Sequence, residues 1–315
     1  MSLLDRLPAA SARTVRLLAL ASLLANIGIV LTGGAVRLTG SGLGCPTWPR
    51  CTDQSFVPHG ELGVHGVVEF GNRLLTFVLV AIAGCTWLAV RRLRSAPAGS
   101  WRTATWLALG VPAQALLGGV TVLTDLNPWV VALHLMLSML LIAWSVLLLR
   151  KLAPQPASRA APAPARWLVR ATYAVCWVVL YAGTVVTGSG PHAGDVSSSR
   201  NGLDPAVVSQ VHADLVFLLV GLTVGALCAL RAAGATRAAR AAGWLLVVEL
   251  AQGAIGLVQY ATDLPLLLVA AHLLGASVLV AVATWLWLES QAGLAVAPPE
   301  RSDVTSTPAV TASDR

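Results

Sequence analysis

The chain is 315 residues long, 56% hydrophobic and only 11% charged, with a mean hydropathy of +0.75 and a formal net charge of +7. So few charges cannot solvate the surface of a globular protein of this length, which excludes a water-soluble domain and implies lipid as the main solvent. The basic surplus would suit nucleic acid, but its distribution along the chain argues for membrane topology, with no nucleic-acid partner.

About 20 apolar residues cross a bilayer, and eight such stretches are read at 15–36, 64–90, 101–123, 129–149, 167–187, 206–230, 241–261 and 264–288. The predicted fold class is all-α integral membrane with eight transmembrane helices. The first stretch runs on through Gly33 and Gly34 without a small-residue cleavage site behind a short apolar core, so it is read as a retained helix and not as a signal peptide. The third contains Pro112, the one evident broken-helix signal of the kind repeat-built transporters use. A Pro/Ala-rich run, 153–165, reads as a linker. The segment from Val296 to Arg315 lacks apolar periodicity and reads as disordered.

The cations sort by side. Arg6, Arg13 and Arg16 precede the first span. Arg91, Arg92, Arg94 and Arg102 follow the second, and Arg150, Lys151, Arg159, Arg166 and Arg170 follow the fourth. Arg231, Arg237 and Arg240 follow the sixth, whereas the opposite connections carry only Arg37, Arg50 and Arg200. Positive residues collect in cytoplasmic loops, so both termini are expected in the cytoplasm of a plasma-membrane protein.

An internal repeat sets the organisation. Gln114, Gly118, Thr124, Asp125, Leu126 and His134 return at one constant offset as Gln252, Gly256, Thr262, Asp263, Leu264 and His272. Likewise Leu38-Thr39-Gly40-Ser41-Gly42 returns as Val186-Thr187-Gly188-Ser189-Gly190. The expectation is two repeated four-helix bundles: an N-terminal half, 1–152, a cytoplasmic linker, 153–166, a C-terminal half, 167–290, and a disordered cytoplasmic tail, 291–315.

Ionisable residues inside a membrane are costly, and function is the first explanation for them. His65, His212 and His272 each lie seven residues after a proline (Pro58, Pro205, Pro265), and His134 lies six after Pro128. At 1.5 Å per residue this sets all four roughly 10 Å inside the external ends of spans two, four, six and eight. Two imidazoles facing across a four-helix bundle can supply both axial ligands of a haem iron, one haem per half. The plainer alternative is a set of interhelical hydrogen bonds. His59 and His192 fall in external loops.

Cys45 and Cys51 share the first external loop, where a close pair on the oxidising side forms a disulfide or stays as two free thiols. Glu69 and Arg73 are four apart on span two and can pair; His65, Glu69 and Asn72 form a polar stripe there, so Glu69 is also a candidate for proton transfer. Arg37 ends span one, as an interface anchor or as a partner for a haem propionate. Asp125 and Asp263 open short external turns and are expected to cap the following helices.

The run Thr32-Gly33-Gly34-Ala35-Val36-Arg37-Leu38-Thr39-Gly40-Ser41-Gly42-Leu43-Gly44-Cys45-Pro46-Thr47-Trp48-Pro49-Arg50-Cys51, with Glu69-Phe70-Gly71-Asn72-Arg73 after it, resembles the haem A synthase family. The resemblance implies an enzyme that oxidises the C8 methyl of haem O to the formyl group of haem A for cytochrome c oxidase. By that resemblance His212 and His272 hold a haem B cofactor in the C-terminal half, and His134 lies at the substrate haem. Glu69 matches a catalytic glutamate, and Cys45 with Cys51 an external cysteine pair. It also implies a haem O synthase and the oxidase assembly machinery as partners. One residue departs from the family pattern: Asn72 stands where a histidine is usual, and an amide is a poor iron ligand. The proline spacings favour His65 in its place. The competing readings are a diheme membrane electron carrier and a non-catalytic oxidase-assembly factor.

Overall fold

A computed structural model describes residues 9–154 and 160–292. Arg6, Arg159 and all but the first two residues of the expected disordered tail lie outside the described residues. The described residues form eight long α-helices: α1 (Ala12–Leu38), α2 (Gly63–Arg92), α3 (Ser100–Leu123), α4 (Pro128–Leu152), α5 (Ala163–Ser189), α6 (Pro205–Ala232), α7 (Thr236–Ala261) and α8 (Leu266–Gln291). All eight are long and apolar enough to cross a membrane, and the protein is a multi-pass membrane protein. Among the described residues there is no strand.

The helix starts follow local chemistry. Ser11 caps α1 by accepting the Thr14 N–H at 3.0 Å, and Asn127 caps α4 through the Trp129 N–H. Asp204 caps α6 through the N–H groups of Ala206 and Val207. Proline at the first position of α4 and α6 has its φ preset for a helix and lacks only an N–H that would be orphaned anyway. Pro164 in the first turn of α5 does the same and starts that helix at Ala163, four residues before the apolar run. The linker expected through residue 166 therefore ends in helix, and its Ala161 and Ala165 are buried in the core of α5–α8. Helix α3 passes Pro112 without a break.

Asp125 and Asp263 do not cap. Asp125 and Leu126, and again Asp263 and Leu264, take left-handed backbone with φ between 51° and 57°, a conformation that Asp tolerates and most residues avoid. Each pair reverses the chain between two helices within a few residues.

Helices α1–α4 pack as a closed ring, α1 on α2, α2 on α3, α3 on α4 and α4 on α1; α5–α8 close a second ring in the same order. Contacts of α4 and α8 with each other, of α1 with α8 and of α4 with α5 join the two rings. Val30, Met139, Ile142, Ala143 and Val280 fill the seam from α1, α4 and α8. At one end of the seam the buried Glu289 carboxylate of α8 receives Arg150 of α4 at 2.8 Å and Arg237 of α7 at 3.0 Å. Removing one member of a buried pair strands the opposite charge in a poorly solvated site. Glu289→Ala is therefore expected to lower stability by about 3 kcal/mol, read as a shifted unfolding midpoint in detergent with an unchanged helical spectrum.

Candidate functional site

Depth within each helix orders the polar residues. His134 lies six residues into α4 from Pro128, His212 seven into α6 from Pro205, and His272 six into α8 from Leu266. These are about 9–10 Å from the helix starts. His65 does not share that layer. A 3-10 turn, Gly60–Leu62, and Gly63 at φ +55° intervene after Pro58, so α2 begins at Gly63 and His65 lies only about 3 Å in. Glu69 occupies the layer instead, about 9 Å in, with Asn72 about 13 Å in.

The three deep histidines share an environment. Each packs its Cε1 edge on a glycine of the neighbouring helix: a Cβ at Gly118 would lie 3.2 Å from the His134 ring, one at Gly183 3.2 Å from His212, and one at Gly256 3.4 Å from His272. Glycine lets the ring lie against bare backbone, which explains why Gly118 and Gly256 belong to the duplicated set. Each ring also has a buried Nδ1 with no hydrogen-bond partner. Buried polar atoms are rarely left unpaired unless a ligand completes them. His212 and His272 stand on helices diagonal in their ring. Two half-buried imidazoles on opposite helices of one bundle, each with a buried Nδ1, would fit an iron porphyrin.

In the ring of α1–α4 only His134 has this setting. His65 is exposed, and its Nδ1 contacts the Ser41 hydroxyl at 2.8 Å. Asn72 accepts a hydrogen bond from Thr32 at 2.8 Å. Gln114 donates to the His134 carbonyl at 3.0 Å and to the Ser138 hydroxyl, so it steadies the backbone that carries His134.

Cys45 and Cys51 are joined as a disulfide, and the loop that they close folds down onto α2. The Cys45 N–H donates to Glu69 Oε2 at 2.5 Å, while Arg73 donates to Glu69 Oε1 through Nε and Nη2. Arg73 also donates to the carbonyls of Cys45, Thr47 and Arg50. Glu69 is 5% exposed, so one buried carboxylate both pairs with Arg73 and holds the disulfide loop. Gly44 permits the approach, since a Cβ there would lie 2.2 Å from the His65 carbonyl oxygen.

Sequence reasoning missed two residues here. Trp48 lies against Gly119 of α3, beside the glycine on which His134 sits; the available signal was the Gly118-Gly119 pair, which the repeat breaks by placing Leu257 after Gly256. Glu249 of α7 is 3% exposed and accepts a hydrogen bond from Thr223 at 2.7 Å; a carboxylate inside an apolar span was its signal. Arg37 reaches across the rings, donating to the carbonyls of His192 at 2.6 Å and Thr187 at 3.1 Å, and its charge faces that of Arg200.

Three deep histidines, a disulfide loop and a buried carboxylate in an eight-helix membrane bundle invite comparison with known proteins. The family model described as cytochrome oxidase assembly protein matches residues 16–63 and 61–197, more than half of the chain. The chain belongs to the cytochrome oxidase assembly protein family. That match contains the disulfide, Glu69, Asn72 and His134, whereas His212 and His272 lie beyond residue 197. Similar curated proteins in this family include one of Geobacillus kaustophilus named Heme A synthase, 35% identical over 109 residues, which are 34% of this chain and 32% of that protein. Another Heme A synthase, from Lysinibacillus sphaericus, is 28% identical over 186 residues, 55% of this chain and 58% of that protein. A third, from Bacillus licheniformis, is 33% identical over 126 residues, 38% of this chain and 39% of that protein. The matched stretches thus span less than two thirds of these relatives' lengths.

Proposed function

We propose that this chain is a haem A synthase, oxidising the C8 methyl of haem O to the formyl group of haem A. The observation that carries the reading is the unequal pair of rings. The second ring offers two matched, half-buried imidazoles, His212 and His272, each with a buried Nδ1 that lacks a hydrogen-bond partner. The first offers one, His134, beneath a loop held by a buried carboxylate. His212 and His272 would hold a resident haem B, which would supply electron transfer. One deep ligand suits a haem that enters and leaves, so the first ring receives haem O. The names of the relatives agree with this chemistry.

In the first ring His134 holds the substrate iron. The outer His65, whose Nδ1 contacts Ser41, would be the second imidazole available to that haem. Glu69, at the depth of the imidazoles, would take up the protons released as an external oxidant removes the electrons of the methyl group. Arg37, half-buried near Arg200 and donating to the His192 and Thr187 carbonyls, would pair with a propionate. The two halves, 1–152 and 167–290, are a duplicated unit with divided labour. The arginine-rich connections support a plasma-membrane topology with both termini in the cytoplasm. A haem O synthase and the oxidase assembly machinery are the expected partners.

One observation favours a second reading, a non-catalytic assembly factor: Asn72, bound to Thr32, occupies the position of the family histidine. A diheme electron carrier is less apt, because the deep histidines all lie towards one end of the bundle. Expression with a haem O synthase, followed by chromatography of the extracted haems, separates them. The synthase reading predicts haem A together with haem B. Haem B alone, with haem O left unchanged, contradicts it.

A further inference from the structure

Away from the histidines, the three-residue turn between α6 and α7 opens into a cavity of about 530 Å³. Arg231 at the end of α6 and Arg240 in the second turn of α7 line it, both exposed and neither with a hydrogen bond or ion pair among the described residues. Thr236, the first residue of α7, contributes a hydroxyl, and no side chain caps that helix start. An uncapped N-terminus of a 26-residue helix presents free N–H groups and partial positive charge to an anion. Below the arginines Arg240, Gly243, Trp244 and Val247 follow one face of α7, and Trp244 and Val247 are 55% and 54% exposed. No atom lies within 4 Å of a Cβ built at Gly243, so this face is open. Polarity falls along it in the order of a phospholipid: two cations and helix N–H groups at the level of the headgroup, an indole at the interface, then an aliphatic wall.

We propose that this groove binds one anionic phospholipid, its phosphate between Arg231, Arg240 and the α7 N-terminus and an acyl chain along Gly243, Trp244 and Val247. The charge on the cavity selects an anionic headgroup over a zwitterionic one, and the open apolar face of Trp244 and Val247 selects a lipid over a free phosphate.

The test is native mass spectrometry of the full chain from vesicles containing equal amounts of phosphatidylglycerol and phosphatidylcholine. Wild type is expected to retain one phosphatidylglycerol. The double variant Arg231→Gln, Arg240→Gln is expected to weaken retention by about tenfold or more. Gly243→Leu, which keeps both arginines and fills open space, is expected to weaken it as well. The control Arg13→Gln, Arg16→Gln carries the same charge change elsewhere and is expected to retain the lipid. Equal loss in the control, equal retention of phosphatidylcholine, or displacement by inorganic phosphate with Gly243→Leu behaving as wild type overturns the proposal.

Discussion

Glu69→Gln is expected to lower haem A formation by about two to four orders of magnitude, the usual loss when a positioned acid or base is removed, while leaving haem B bound. Glutamine keeps the shape of the side chain and can still accept from the Cys45 N–H, so the disulfide loop keeps one tether. What it loses is the charge that Arg73 faces and the capacity to accept a proton. A purely structural Glu69 would act through the loop alone. Arg73→Lys separates the cases: it gives up the forked contacts to Glu69, Cys45, Thr47 and Arg50 but leaves the carboxylate. Haem extracts from the two variants are therefore expected to differ, with Glu69→Gln accumulating haem O and Arg73→Lys retaining a measurable share of haem A. Equal loss in both variants would assign Glu69 to holding the loop.

If His212 and His272 hold the resident haem as proposed, replacing either by alanine is expected to strip it almost completely. Alanine leaves a hole where an imidazole rested on Gly183 or Gly256, and the surviving ring cannot reach both faces of the iron. The pyridine haemochrome of the purified variant should show haem B well below half of the wild-type content. Retention of full haem B in both variants would move the resident haem elsewhere. The helical spectrum should be unchanged, because the cores of the two rings contain no histidine.

The fold was legible because it rests on local quantities. Twenty apolar residues span a bilayer wherever they occur, so the stretch read at 15–36 and the helix Ala12–Leu38 differ only at their ends. The depths of His134, His212 and His272 followed for the same reason, since Pro128, Pro205 and Pro265 sit at or just before the helix starts. His65 escaped the rule because Pro58 is followed by a 3-10 turn and a left-handed Gly63, which put the start of α2 five residues further on. The spacing that equated His65 with the others counted residues that are not in the helix. Asp125 and Asp263 failed as caps because a positive φ serves the turn directly, with no side-chain acceptor needed.

The remainder of the site was illegible for a different reason. Glu69 and Arg73 share a helix face, so their pairing could be read from spacing, but the Cys45 N–H that completes the cluster comes from 24 residues away. Arg37 reaches carbonyls 150 and 155 residues distant. No periodicity encodes such contacts; they depend on how the rings close and how the external loops fold over them. Similarly, the glycines under the three imidazoles are visible as repeated residues, but their purpose appears only when a ring lies on each.

The account turns on the two rings having different tasks, and His134→Ala addresses that directly. Expressed with a haem O synthase, this variant is predicted to keep wild-type haem B, held by His212 and His272, while producing no haem A. Loss of haem B together with haem A, or haem A made at the wild-type level, would contradict the division of the molecule into a ring that keeps its haem and a ring that exchanges it.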